Sequence, residues 1–146
     1  MEREKNNFDR SLEDVGNVQL LEHVNLTVPD QTVASMFYVT GLGFTRDPYI
    51  DFGSLNMWIN LGDQQFHMPT NKAQVLRGHI GVVVPDLDEL GKRLKFAARG
   101  LNNTAFQSIE GDNCLELTCP FGNTIKAYAP ASFPRMDLGM PYVQFD

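Results

Sequence analysis

The pattern of apolar and polar positions runs through this chain twice. Leu20 to Val28 is rich in aliphatic and β-branched residues and stops at Pro29-Asp30, where proline cannot continue a hydrogen-bonded ladder. Asp30 is a good helix N-cap, and Val33, Met36 and Phe37 follow at helical spacing, which predicts a helix to about Val39. Gly41-Leu42-Gly43 breaks that helix. Three strand-like segments come next: Phe44 to Asp47 or beyond, Leu55 to Leu61, and Gln64 to Met68. The order then returns. Gly78 to Val84 reads as a strand ended by Pro85-Asp86, and Leu87 to about Ala98 as a helix with apolar Leu87, Leu90, Leu94 and Phe96. Strands are predicted at Thr104 to Ser108, Asn113 to Thr118 and Thr124 to Ala129, the last two joined by the hairpin loop Cys119-Pro120-Phe121-Gly122-Asn123.

The repeat is visible in the residues themselves. His23-Val24-Asn25-Leu26-Thr27-Val28-Pro29-Asp30 recurs as His79-Ile80-Gly81-Val82-Val83-Val84-Pro85-Asp86, with half of the positions identical. One structural unit has been used twice. A pseudo-twofold axis between the copies would bring the two opening strands, and the imidazoles of His23 and His79, towards a shared central surface. The chain accordingly divides into a polar segment at 1–18 and a folded region at 19–130, with modules at 19–70 and 77–130. An extension at 131–146 ends in a stretch after Met140 that alternates like a strand. That stretch suits an added edge strand, a dimer contact, or the start of a further segment.

Composition narrows the partners. A chain of 146 residues fits one compact domain or two small fused modules. Its net charge of −6, with basic residues scattered, argues against a nucleic-acid surface. No apolar run approaches the ~20 residues of a membrane span, and the first eighteen residues hold no signal-peptide core. Cys114 and Cys119 read as two free, inert thiols, which fits a reducing, cytoplasmic setting. Neither a Ser-His-Asp arrangement, a phosphate-cradling glycine loop nor zinc-finger spacing is present.

Together, the paired βαβββ pattern, the opening histidines, Gly41-Leu42-Gly43-Phe44 and the Cys119–Asn123 loop resemble the vicinal oxygen chelate superfamily. That group includes glyoxalase I, extradiol dioxygenases, and the fosfomycin and bleomycin resistance proteins. The resemblance spans about Leu20 to Pro130. It implies an α+β fold of two tandem βαβββ modules whose curved mixed sheets form an open cleft. It also implies a metal site drawn from four strand positions. Three of these are His23, His67 and His79, which are all the histidines of the chain. The fourth, normally glutamate, is Lys126, whose ammonium has no lone pair to offer. Cys119 stands where the family usually has aspartate.

Three neutral imidazoles suit zinc or iron, with nickel or manganese as further candidates for a divalent metal. Glu116 is expected opposite Lys126 on one face, and three readings of that pair stay open. It is a salt bridge; or Glu116 substitutes as metal ligand while Lys126 binds an anionic substrate group; or the metal is gone and Lys126 alone holds a ligand. A lysine close to a metal would also have a lowered pKa and could serve as a base. Trp58 and Tyr128 are expected on the cleft wall, with Trp58 and Asn60 on one face and Met57 and Ile59 on the other. Gln65 is read as pointing away from His67. Two functions are compatible with these residues, beside a third in which the chain is a non-catalytic domain serving a larger assembly. One is a metal-dependent, glyoxalase- or dioxygenase-like enzyme (isomerase, lyase or oxygenase) working on a small molecule. The other is a metal-free binding or resistance protein that sequesters a small aromatic or cationic compound. A homodimer is expected in either case.

Overall fold

The computed structural model describes residues 20–146, so the polar segment lies outside the described residues. Module one holds β1 (His23–Asn25), α1 (Gln31–Ser35), β2 (Thr45–Asp51), β3 (Asn56–Leu61) and β4 (Gln64–Pro69). Module two holds β5 (Gly78–Val83), α2 (Leu87–Ala97), β6 (Gln107–Gly111), β7 (Cys114–Thr118) and β8 (Thr124–Tyr128), and β9 (Gly139–Phe145) comes last. The strands form two open mixed sheets, β1-β4-β3-β2 and β6-β7-β8-β5-β9, with no closed barrel. This is the α+β, two-module architecture that the repeat predicts.

The repeated Pro-Asp works the same way in both modules. The Asp30 carboxylate accepts from the N–H groups of Thr32 and Val33 at 2.8 and 3.0 Å, and that of Asp86 from Glu89 N–H at 2.9 Å. Each satisfies donors that a helix start leaves unpaired. The first helix is shorter than expected as an α-helix. It widens into a π-helical stretch, Met36–Gly41, where Leu42 N–H reaches back to Phe37 C=O at 2.8 Å. β6 starts later than predicted because Thr104 makes a local turn: its hydroxyl donates to Leu101 C=O at 2.6 Å and accepts from Phe106 N–H at 3.2 Å.

Alternation sets the faces. Along β3, Met57, Ile59 and Leu61 are buried beneath the helices while Asn56, Trp58 and Asn60 are half-buried on the other side. Along β4, Gln64, Phe66 and Met68 turn inward. One core serves both modules: Leu26, Phe37, Phe66, Ile80, Leu94, Leu117 and Ile125 belong to a single cluster. Gly41 of the π-helical stretch lies against Leu94 and Ala97 of α2.

The expectation that the two opening strands meet at a central surface is not met. β5 pairs with β8 on one side and antiparallel with β9 on the other, while β1 pairs only with β4 among the described residues. Glycines make room for β9. A Cβ at Gly78 would run into the Gln144 carbonyl, and one at Gly81 into the Tyr142 ring. One at Gly62 would lie 2.7 Å from the Leu138 carbonyl oxygen. Gln64, buried at the start of β4, clasps the same strand. Its amide nitrogen donates to Met140 C=O at 2.7 Å and to Leu21 C=O at 2.6 Å, and its oxygen accepts from Met140 N–H.

Candidate functional site

The polar face of module one gathers around Trp58, the only tryptophan. Trp58 and His67 are cross-strand partners and stack at 4.0 Å with an 18° tilt. His23 meets the indole edge-on at 5.4 Å and lies 6.4 Å from the His67 ring. Glu22 Oε2 sits 2.7 Å from His23 Nδ1 and so orients that imidazole. His67 Nε2 is paired with the Asn56 amide nitrogen at 2.8 Å. Burial first, and then His23, holds the His67 pKa below its usual value, so the ring is neutral at pH 7.

Beside this aromatic group runs an amide–carboxylate network. Gln65 donates to Asn60 Oδ1 at 2.6 Å and to Asp47 Oδ2 at 3.2 Å, and Asn60 donates to Asp47 Oδ2 at 3.1 Å. Asp47 Oδ1 also accepts from the N–H groups of Tyr49 and Ile50 at 2.8 and 2.9 Å. Those backbone donors, Ile50 foremost, lower the Asp47 pKa and keep the carboxylate charged. Here one expectation is corrected. Gln65 and His67 are two residues apart on β4, and the strand period of two puts them on the same face, not opposite ones.

Module two places its residues differently. The register sets Glu116 opposite Lys126, Gly81 beside Lys126, and Tyr142 opposite Gly81. Lys126 Nζ lies 3.3 Å from Glu116 Oε1, and this partner raises the lysine pKa. The shift runs against the lowered value that a lysine base would need. Tyr142 lies over Gly81, with its hydroxyl 3.1 Å from His79 Nε2 and 2.8 Å from the Tyr128 hydroxyl. Burial, then the bond to Tyr128, pushes the Tyr142 phenol well above its usual pKa. Tyr128 and Tyr142 also pack against Phe133 at 5.1 and 5.9 Å.

His23 and His67 therefore share one face, while His79 stands in the other sheet and is engaged by Tyr142. Among the described residues no three His, Cys, Asp or Glu side chains converge on a point where one ion could be held. The residues present do not fit a three-histidine metal centre within one chain. Trp58 is found beside the two histidines; Tyr128, Lys126 and Glu116 form a separate cluster with His79. Cys114 and Cys119 are free and buried. Two cavities lie away from the histidines. One of about 440 Å³ is lined by Leu42, Phe44, Leu61, Pro85 and Leu138, and a groove of about 1140 Å³ runs between α2 and the β6–β7 hairpin.

Tyr142, Asp47, Asn56 and Glu22 escape a reading based on histidines. For Tyr142 a signal exists. Tyr142-Val143-Gln144-Phe145 repeats the pattern of His23-Val24-Asn25-Leu26, with tyrosine at the histidine position. β9 thus resembles the two opening strands in pattern.

No protein-family model matches the sequence, and no curated protein matches it. Solved structures do. The chain is similar to a glyoxalase family protein from Bacillus anthracis, at 21% identity and TM-score 0.55, over 76% of this chain and 94% of that one. It is similar to the fosfomycin resistance protein FosX from Listeria monocytogenes, at 12% identity and TM-score 0.61, over 80% and 94%. A lactoylglutathione lyase from Agrobacterium tumefaciens aligns at 14% identity and TM-score 0.54, over 75% and 92%. At these identities the likeness establishes the fold. Within the described residues no helix is long and apolar enough to cross a membrane.

Proposed function

From the premise of a chain with the two-module fold of the vicinal oxygen chelate proteins, we propose that it binds a small cationic, aromatic compound on the polar face of module one. One observation carries this reading: the hydrogen-bonding capacity left over around Trp58 is mostly accepting, and the fixed charges there are negative. Gln65 uses both N–H groups on Asn60 and Asp47, which leaves its carbonyl oxygen. Glu22 and Asp47 contribute carboxylates. The only lysine among the expected metal positions, Lys126, is already paired with Glu116. A planar amidinium or guanidinium complements such a face, with its donors on the acceptors and its ring on the indole.

Benzamidine tests this directly. Titration should change Trp58 fluorescence saturably, unaffected by a chelator, and uncharged benzamide should not reproduce the change. Gln65→Leu and Asp47→Asn should each weaken binding about tenfold or more, in keeping with charge-assisted bonds worth roughly 1.5–3 kcal/mol. Equal binding of benzamide, or none of either compound, would overturn the proposal. A metal-dependent reading retains one supporting observation, the 6.4 Å approach of His23 and His67 on a common face. It predicts zinc or iron uptake that His23→Ala or His67→Ala abolishes.

A further inference from the structure

Among the described residues, β6 is the one long sheet edge left plain. Proteins usually blunt such edges with proline, a break in register or brevity, because unpaired N–H and C=O groups invite another strand. β2 carries Pro48 and a register shift between Arg46 and Asp51. β9 carries Pro141 and a shift against β5 between Gly81 and Val83, and β1 has only three residues. β6 pairs with β7 in five consecutive steps, from Gln107↔Thr118 to Gly111↔Cys114, and holds no proline. The two-residue turn Asp112-Asn113 makes Gly111 and Cys114 a hydrogen-bonded pair. Alternation then turns the N–H and C=O groups of Gln107 and Ile109 towards β7, and those of Ser108 and Glu110 outwards.

That edge is one bank of the groove of about 1140 Å³, and α2 is the other. Gly91, Leu94 and Ala98 form a stripe at helical spacing along it, with Phe106 of the opposite bank facing them. Gly91 has no reason within the chain. Glycine weakens a helix interior, and a Cβ there would meet nothing within 4 Å, so packing does not require its absence. What the glycine keeps open is the groove. Charge is divided along the same line. α2 leads through one short turn into β6, which sets Lys95 towards the Phe106 end and Asp88 with Glu110 at the hairpin end. Lys92 is paired with Glu89 at 3.5 Å, while among the described residues no carboxylate pairs with the exposed Lys95.

We propose that this groove takes an extended peptide segment of a partner protein, which adds to β6 as a further strand of the sheet. Its backbone pairs with the outward groups of Ser108 and Glu110. Every second side chain of the segment is apolar and enters the groove over Gly91 and Leu94. Charge fixes the direction. A segment antiparallel to β6 has its C-terminal end beside Lys95 and its N-terminal end beside Asp88 and Glu110, so acidic residues belong last and basic ones first. The opposite direction would set like charges together. This groove belongs to the sheet of module two and stands apart from Trp58, so the peptide and the small cation occupy different places and neither reading depends on the other.

Fluorescence polarisation on the full chain tests this with a labelled peptide that has lysine first, alternating leucine and threonine, and glutamates last. Binding should be saturable, and a peptide of the same composition with its charged ends exchanged should bind about tenfold more weakly or worse. Gly91→Leu fills the groove where the chain itself has free space. It should weaken binding about tenfold or more without lowering the melting temperature. Ser108→Pro removes an outward N–H and leaves the β7 ladder intact, so it should lose the peptide with its circular dichroism unchanged. If that variant does not fold, Gly91→Leu decides alone. Lys95→Glu should reverse the preference between the two peptides. No saturable binding, or wild-type affinity in Gly91→Leu, would overturn the proposal. So would a wild type of twice the chain mass that Ser108→Pro converts to a monomer, since the edge would then belong to a second copy.

Discussion

The two modules start from nearly the same octet and end in opposite situations. In module two the opening strand is interior, both edges paired, its histidine capped by a tyrosine. In module one the opening strand is an edge among the described residues, its histidine exposed and held by a neighbouring carboxylate and the edge contact with Trp58. The difference lies less in the strands than in the segments downstream of them. β9 supplies module two with a mate, and among the described residues no further strand pairs with the outer edge of β1 in module one. Residue 81 shows how closely the covered strand is tailored. Glycine there admits the Tyr142 ring, whereas its counterpart, residue 25, carries an asparagine with open space to occupy.

The largest expected effect comes from exchanging those conditions. Gly81→Val should expel the Tyr142 ring and cost about 3 kcal/mol, the upper range for overpacking. Asn25→Val in module one should stay within about 0.5 kcal/mol, as for an exposed strand position. Thermal denaturation of both variants decides it, and equal losses would dissolve the contrast. Next is Gln64→Leu, which strands the Met140 N–H and C=O and the Leu21 C=O. A loss of about 2 kcal/mol in urea unfolding is expected, with faster amide exchange at Met140.

The smallest effect is electrostatic. Glu116 raises the Lys126 pKa above its ordinary 10.5, so their pairing stabilises the fold below that pH. Its contribution is lost as pH rises through the folded-state value. Glu116→Gln should leave the melting temperature near pH 7 almost unchanged, since the pair is half-exposed, while the Lys126 ammonium titrates earlier by NMR. An unchanged titration would mean that something other than Glu116 holds the proton.

Much of the architecture was legible because period and punctuation agree along the chain. Pro29-Asp30 and Pro85-Asp86 mark both strand ends and both helix caps, and the Glu116–Lys126 register came from counting back from the hairpin loop. The site was legible only in part. That Trp58 and Asn60 share a face could be read from alternation, and the same rule correctly applied to Gln65 would have put it beside His67. What local pattern could not give is which strand lies next to which. The repeat implied a partnership between His23 and His79, but the free edge of β5 is taken by β9. There β9 has the advantage of Gly78 and Gly81 beneath it and the Gln64 clasp beside it. The three histidines are accordingly spread over two sheets, His23 and His67 in one and His79 in the other.

The late position of β9 gives β5 an exposed youth during synthesis. A chain emerging at about 5–20 residues per second leaves roughly sixty residues, hence several seconds, between the end of β5 and the arrival of the strand that covers it. Through that interval Ile80, Val82 and Val83 belong to an uncovered apolar edge, the kind of template on which nascent chains aggregate. Cells that elongate this chain slowly, or hold many unfinished copies at once, should therefore lose some of it to aggregates before it is finished. A chaperone that holds strand edges should recover that fraction without altering the stability of the completed fold.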